Sequence, residues 1–211
     1  LTALALLLGL TGCAPSRESA EQAADNALTA VQKWDEKTAG AYFGSEILQG
    51  GEEAPEETAS AADDAMEQMM PRFTEGLFWT FTDVKEEGDS AAITAEITNR
   101  DLGALIAAFL QEAFSQTMST IFLPEDQQPT EEEQTAALAD ILSGLLDSQD
   151  IQTVTNTVTL ELTYEEDHWK IAPSFELVNA IFGGMYGSLQ DLGQDLGLSL
   201  IHISEPTRRV V

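Results

Sequence analysis

The chain has 211 residues, 43% of them hydrophobic, with 37 acids against 9 bases and a formal net charge of −28. That length suits one domain, and the apolar content supports a packed core rather than a disordered acidic tail. The charge argues against nucleic-acid binding, which rests on phosphates neutralised by Lys and Arg, and against anionic lipid headgroups. It is read first as a solvated acidic surface, and second as one that attracts cations or basic partners.

Residues 1–10, "LTALALLLGL", form an uncharged apolar run. It is shorter than the ~20 residues that cross a bilayer, and it suits the h-region of a signal peptide. "LTGC" follows: Leu10, Thr11, Gly12 and Cys13. This stretch resembles the lipobox of bacterial lipoproteins. The resemblance implies that the Cys13 sulfur takes a diacylglyceryl group and that a leader over residues 1–12 is removed. Two acyl chains, at ~0.8 kcal/mol per buried methylene, anchor stably where one would not. The alternative is a buried cysteine closing an apolar helix. The polar "APSRESAEQ" that follows favours the lipobox, and residues 13–18 then read as a lipidated tether. Cys13 is the single cysteine, so no internal disulfide can form. The chain starts at Leu1 without Met or a basic n-region, so a truncated N-terminus is expected.

Ser19 and Gln22 make a capping-box pattern. Ala23, Ala24, Ala27, Leu28, Val31 and Trp34 recur at helical spacing, predicting a helix over 20–34. Residues 35–48 read as a break and a short helical turn, and 49–60 as a loop rich in Gly, Pro and acid. A helix over 58–70, with Ala62, Met66, Met69 and Met70 on one side, is expected to end at Pro71. Its methionines suit an adaptable binding face or, preferably, gap-filling core. In "GLFWTFTDV" (76–84) Leu77, Trp79 and Phe81 share a face. Residues 85–90 read as the turn, and 91–98 return with Ile93, Ala95 and Ile97 inward. The acids of that turn lack the spacing of a calcium loop.

The strongest helical pattern covers 99–122, capped by Asn99 or Asp101. Leu102, Leu105, Ile106, Phe109, Leu110, Ala113, Phe114, Met118, Ile121 and Phe122 make a continuous stripe, read as core. Thr130 and Glu133 form a second capping box, opening a helix to about 147 lined by Ala137, Leu138, Ile141, Leu142 and Leu145. In "TVTNTVTLELTY" (153–164) Val154, Val158, Leu160, Leu162 and Tyr164 alternate with threonines, as in a sheet with one buried and one wet face. "EEDH" turns the chain and "WKIAP" pairs back. Pro173 and Ser174 start a last helix carrying Leu177, Val178, Ile181 and Phe182, stopped by Gly183 and Gly184. The expected fold is therefore α+β. An antiparallel sheet of about four strands, made from two hairpins, is covered by helices in one domain over 19–190.

The stretches "ALTAVQKWDEKTAGAYFGSE", "DVKEEGDSAAITAEITNRDL" and "TVTNTVTLELTYEEDHWKIAPSFELVNAIFGG" resemble small lipoproteins of Gram-positive gut bacteria that carry domains of unknown function. They also look like the nuclear transport factor 2-like superfamily, a cone in which a curved sheet wraps a helix. The likeness spans about residues 18–190, with two extra helices here between the hairpins. It implies a cone-like fold at the outer face of the cell membrane.

Some enzymes of that superfamily use an Asp or His as base in a pocket. Here His168 falls in a hairpin turn, and Asp83 and Glu96 lie on strands; solvated positions are the preferred reading for all three. No nucleophile elbow, P-loop, dinucleotide fingerprint or multi-histidine metal set is present in the sequence, so no cofactor or metal is expected. Trp79, Phe81, Leu160, Leu162 and Trp169 are candidate pocket-lining residues, with plain core as the preferred alternative. Two functions stay open. One is a lipid-anchored, non-catalytic binding module for a protein or small molecule at the cell surface. The other is a small hydrolase or isomerase with a pocket acid. An open apolar cavity above ~100 Å³ with an inward carboxylate would favour the enzyme, and a packed cone interior would count against it.

The tail "LSLIHISEPTR" (198–208) resembles one reading frame of an adapter used in transposase-based sequencing libraries. Residues 198–211 hold two of the nine basic residues and one of the 37 acids. The resemblance implies that residues 198–211 are not part of the gene, and that His202, Arg208 and Arg209 carry no function.

Overall fold

Ser19 opens the first helix in the computed structural model, which describes residues 17–44, 69–148 and 151–195. Leu10, Thr11, Gly12 and Cys13, the helix expected over 58–68, and the tail lie outside the described residues.

Helix α1 is Ala20–Gln32 and has a complete capping box. Ser19 Oγ accepts from Gln22 N, and Ser19 N donates to Gln22 Oε1, both at 3.2 Å. Ala20, Ala23, Ala24 and Ala27 are fully buried. Their small side chains let the helix lie close to the structure beneath it. Trp34 falls outside α1, at φ 55, in the break before α2, Glu36–Phe43. Asp35 caps α2 by accepting from Thr38 N at 3.0 Å.

The residues numbered 69–74 are helical, designated α3, so Pro71 does not end that helix. Proline lacks an N–H but keeps a helical φ and a carbonyl. That carbonyl accepts from Thr74 Oγ1 at 3.3 Å.

Strands β1 (Phe78–Glu87), β2 (Ser90–Arg100), β3 (Thr153–Glu165) and β4 (His168–Ala172) form one sheet in the order β1-β2-β3-β4. Every neighbouring pair is antiparallel. The fold is thus α+β with a four-stranded antiparallel sheet. The first hairpin is tighter than its acidic sequence suggests. Residues 85–87 are strand, and the turn is Gly88 and Asp89, with Gly88 at φ 63. The second hairpin turns at Glu166 and Asp167, both with positive φ (54° and 66°), the pair of values that matches strand twist.

A bulge between Phe81 and Asp83 shifts the register of β1. It reverses the alternation, so Asp83 faces Thr94 and Glu86 faces Ala91. Glu86 thereby reaches the helix side, where Oε2 accepts from Ala20 N at 3.0 Å. At the other end of β1, Gln32 Nε2 donates to Leu77 O at 2.6 Å. Helix α1 therefore runs antiparallel to β1.

Ile93, Ala95, Ile97, Leu160, Leu162 and Trp169 are buried on one sheet face, together with Leu28, Leu177 and Phe182 from helices. On the other face Thr155, Thr157, Thr159, Glu161 and Thr163 are exposed. The period-two reading of β3 holds along its whole length.

Helices α4 (Leu102–Thr120) and α5 (Glu131–Asp147) intervene between β2 and β3, joined through a short turn at Glu125–Gln127. Helix α6 is Phe175–Ile181, capped by Ser174, whose Oγ accepts from Leu177 N at 3.1 Å. It is not the last helix. After Gly183 and Gly184 the chain forms α7, Met185–Asp195, which runs past the expected domain limit at 190. Glycines 187 and 193 weaken the local helical signal there. Tertiary contacts compensate: Tyr186 packs edge-on against Phe182, with ring centroids 5.5 Å apart, and Gly187 N donates to Asn179 Oδ1 at 2.7 Å.

Arg17 and Glu18, expected in a tether over 13–18, pack on the sheet. The Arg17 guanidinium lies over Tyr164 and Trp169, and Glu18 O accepts from Trp169 Nε1 at 2.9 Å. Both residues belong to the folded body.

Candidate functional site

The α4–α5 hairpin departs most from a plain core reading. Its base is held firmly. Asp101 Oδ1 caps α4 by accepting from Ala104 N at 2.8 Å, and Asp101 N donates to Gln152 O at 2.7 Å. Gly103 N donates to Gly183 O at 3.2 Å. A Cβ at Gly103 would sit 2.4 Å from Ser188 Oγ and 3.1 Å from Gly184 O, so a larger residue there would make Ser188 or α4 shift. Arg100 donates to Leu146 O at 3.3 Å and pairs with Glu75 at 2.7 Å. Arg72 reaches Ser143 and Asp147. The two arginines tie the C-terminal end of α5 to the sheet end and to α3.

The expected core stripe on α4 is buried only at that base. Leu102 and Leu105 are buried, and Phe109 packs partly against the core. Beyond Phe109 only Ala113 and Thr120 are even half-buried. Phe114 is 68% exposed, Ile121 58% and Phe122 82%; Leu110, Met118 and Leu123 are exposed as well. Periodicity marks a helix with apolar positions, but nothing in it states that a partner exists for each of them. Principal neighbours of α4 are α5 and α7, at its base and side. On α5 Leu142 and Leu146 are buried, whereas Leu138, one of the apolar residues expected along that helix, is exposed. Among the described residues, seven of the nine exposed large hydrophobic side chains lie on this hairpin; Phe78 and Val84 are the others. Such clustering marks an interaction surface more often than chance exposure does.

A cavity of about 400 Å³ opens at the hairpin base. Asp101, Ala104, Leu105 and Ala108 line it from α4, Leu145 and Ser148 from the end of α5, and Ile151 and Gln152 from the approach to β3. None of the five candidate pocket residues lines it. Leu160, Leu162 and Trp169 are buried in the sheet core, and Trp79 and Phe81 are half-buried against it. Trp79 Nε1 donates to Asp25 Oδ1 at 3.0 Å. These side chains belong to the hydrophobic core between the sheet and its helices.

The acids and the histidine considered as bases stand apart. Asp83 is exposed and pairs with Lys85 at 2.7 Å; that pairing raises the ammonium above its ordinary value. Glu96 is exposed on the open sheet face. His168 is the first residue of β4, half-buried, with Nδ1 2.8 Å from Glu166 O. Among the described residues, no group of three or more His, Cys, Asp or Glu can hold a metal ion. Among the same residues, no helix is long and apolar enough to cross a membrane.

Two asparagines on the core side of the sheet were not legible as such. Asn99, expected as a helix cap, is fully buried in β2. Its Nδ2 donates to Phe73 O at 2.9 Å and Ile181 O at 2.6 Å, and its Oδ1 accepts from Arg100 N at 2.8 Å. It thus joins α3, β2 and α6. Asn156 faces the core side of β3, and its Nδ2 is buried without a hydrogen-bond partner. An asparagine in a strand pattern gives no sign of which of these it will be.

Fold and surface together define an α+β body on a four-stranded antiparallel meander, with a partly uncovered helical hairpin. Comparison with family models, with curated proteins and with solved structures finds no match to this chain.

Proposed function

We propose that the chain is a lipid-anchored, non-catalytic binding module at the extracytoplasmic face of a cell membrane. Cys13 is its attachment point and the α4–α5 hairpin its binding surface. The observation that carries the binding half is the exposed apolar set Leu110, Phe114, Met118, Ile121, Phe122 and Leu123. A monomer leaves such a set uncovered at a cost in solubility, and the usual compensation is a partner. The lipobox likeness of residues 10–13 carries the anchoring half.

The position of Arg17 supports the arrangement. Its Nη2 donates to Gly88 O and its Nη1 to Asp89 Oδ1, both at 2.8 Å, at the turn between β1 and β2. Four residues from Cys13 to Arg17 reach at most ~14 Å. An anchor at Cys13 therefore holds the turn end of the sheet close to the lipid. Strand β2 then runs roughly 35 Å, at ~3.3 Å per residue, before α4 begins. The binding hairpin arises at the sheet end opposite the anchor. The meander with α1 laid along one face also fits the nuclear transport factor 2-like cone, and we extend the reading to that fold.

Photo-crosslinking on intact cells tests the binding half. A photoreactive residue at position 114 or 122 is expected to give one discrete adduct, absent when it stands at position 159 on the open sheet face. No adduct, or the same adducts from all three positions, would overturn it.

A second reading rests on the 400 Å³ cavity with Asp101 in its wall. This is the small hydrolase or isomerase. The burial of Leu160, Leu162 and Trp169 in the core and the use of Asp101 Oδ1 as a helix cap favour the binding module over it. Turnover of small ester or ketone substrates by the native chain, lost in Asp101→Asn with the fold intact, would establish the enzyme; absence of turnover removes it.

A further inference from the structure

We infer that the partner of the α4–α5 hairpin is a cationic amphipathic helix, one that sets an apolar face on Phe114, Met118, Ile121 and Phe122 and lysines or arginines against the acids around them. This rests on the binding-module reading and adds the chemistry of the partner. Between residues 101 and 148 the sequence holds nine acids and no Lys, Arg or His. The remaining 163 residues of the 211 carry all nine bases, so the hairpin has no cation of its own to answer its charge. Glu112 lies within the exposed half of α4, and the exposed Asp126, Glu131, Glu132 and Glu133 follow Ile121, Phe122 and Leu123 in the connecting turn and the first turn of α5. Among the described residues, every ion pair touching the hairpin is at its base, through Arg72 and Asp147.

The other occupants fit less well. A second copy would bring two such acidic hairpins together, and like charges at an interface cost affinity. An anionic bilayer repels the same acids, and under the anchoring proposal the hairpin arises at the sheet end away from the lipid. A helix that lays its apolar face on an apolar helical surface, with basic residues over an acidic rim, satisfies both observations.

The test uses the full chain carrying Cys13→Ser, so that no acyl chain contributes. The probe is a synthetic Leu/Lys peptide of 18 residues, patterned to be amphipathic as a helix, read by fluorescence anisotropy and by its gain of helical circular dichroism. Binding is expected, with helix gained on binding and affinity falling as salt rises. Phe114→Ser with Phe122→Ser should weaken it about tenfold or more, since buried aromatic anchors dominate such interfaces. Glu112→Gln with Glu131→Gln and Glu132→Gln should weaken it and flatten the salt dependence. Phe78→Ser, an exposed aromatic off the hairpin, should change nothing. Equal binding of a scrambled peptide of the same charge would overturn the inference, because net charge alone would then explain it. So would binding of a Leu/Glu analogue, dimerisation of the free chain that the Phe114/Phe122 variant abolishes, or binding to phosphatidylcholine vesicles without binding to the peptide. Loss of peptide binding with the cell-surface adducts at 114 and 122 retained removes the cationic partner and leaves the binding module standing; loss of both removes both.

Discussion

The guanidinium carbon of Arg17 lies 3.7 Å from the centroid of the Tyr164 ring, and 4.6 Å from that of Trp169. With its bonds to Asp89 and Gly88, Arg17 fastens the start of the described chain to both hairpin turns of the sheet. A cation over aromatic faces at a partly exposed site contributes about 0.5–1 kcal/mol. Arg17→Ala is expected to lower stability by about that amount and to speed hydrogen exchange at the first turn of α1. Arg17→Lys should recover little, since an ammonium cannot stack and fork together. Exchange mass spectrometry and a urea titration measure the two effects.

Asn99 and Asn156 predict opposite outcomes for similar substitutions. Asn99→Leu strips Phe73 O and Ile181 O of a buried donor and is expected to cost about 2–3 kcal/mol or more. Asn156 Nδ2 has no partner, so Asn156→Leu removes a buried polar group that gains nothing. It is expected to be neutral or stabilising by up to about 1 kcal/mol. Paired urea titrations read both.

Two glycines make a similar contrast. A Cβ on Gly183 (φ 52) would lie 1.9 Å from Arg100 O, where α6 passes the end of β2. Gly183→Ala must displace one of them, and a loss of about 3 kcal/mol or failure to fold is expected. At Gly144, inside α5, nothing lies within 4 Å of a Cβ. Gly144→Ala should stabilise by about 0.5–1 kcal/mol through helix propensity. Thermal melts of the pair decide it.

Stability should fall in acid for an identifiable reason. The side chain of Thr38, then its backbone N–H, holds the Asp35 carboxyl below its ordinary value of 3.8. The backbone N–H of Thr130, then its hydroxyl, holds Glu133 below 4.5. Both groups have folded values under the unfolded ones. Their contribution is therefore present above about pH 4.5 and is lost as pH falls through the lower folded values. In alkali the sign reverses for Tyr42, raised above its ordinary 10.0 first by burial and then by the Glu18 carboxylate. Burial raises Tyr186 likewise. Stability is full below pH 10 and declines as pH rises past it. Melts from pH 2 to 7 should flatten at the acid end in Asp35→Asn and Thr130→Val, and those from pH 8 to 12 at the alkaline end in Tyr42→Phe.

Much of the fold was legible because its signals are local. Ser19 with Gln22 and Thr130 with Glu133 close the capping boxes that their spacing implies. The threonine alternation of β3 fixed which face is buried before any neighbour was known. Helix α7 was hidden because Gly183 and Gly184 read as a stop, and the helix depends on Phe182 and Asn179 of the preceding segment and on Gly103, far from it in sequence. The fate of the α4 stripe was hidden for a related reason. Apolar spacing defines a helix face, whereas burial depends on what the rest of the chain places against it. Here that support ends near Phe109. The bulge at Thr82 is likewise invisible in the strand pattern, yet it turns Glu86 onto the α1 side.

Under the anchoring proposal, attachment through Cys13 would decide where the hairpin can act. The most direct measurement is metabolic labelling of a Gram-positive host expressing the full chain with an alkyne palmitate analogue, followed by membrane fractionation. The account predicts label on the native chain in the membrane fraction. Cys13→Ser should carry no label and leave that fraction. Label that persists in Cys13→Ser, or a native chain that takes none, would contradict it.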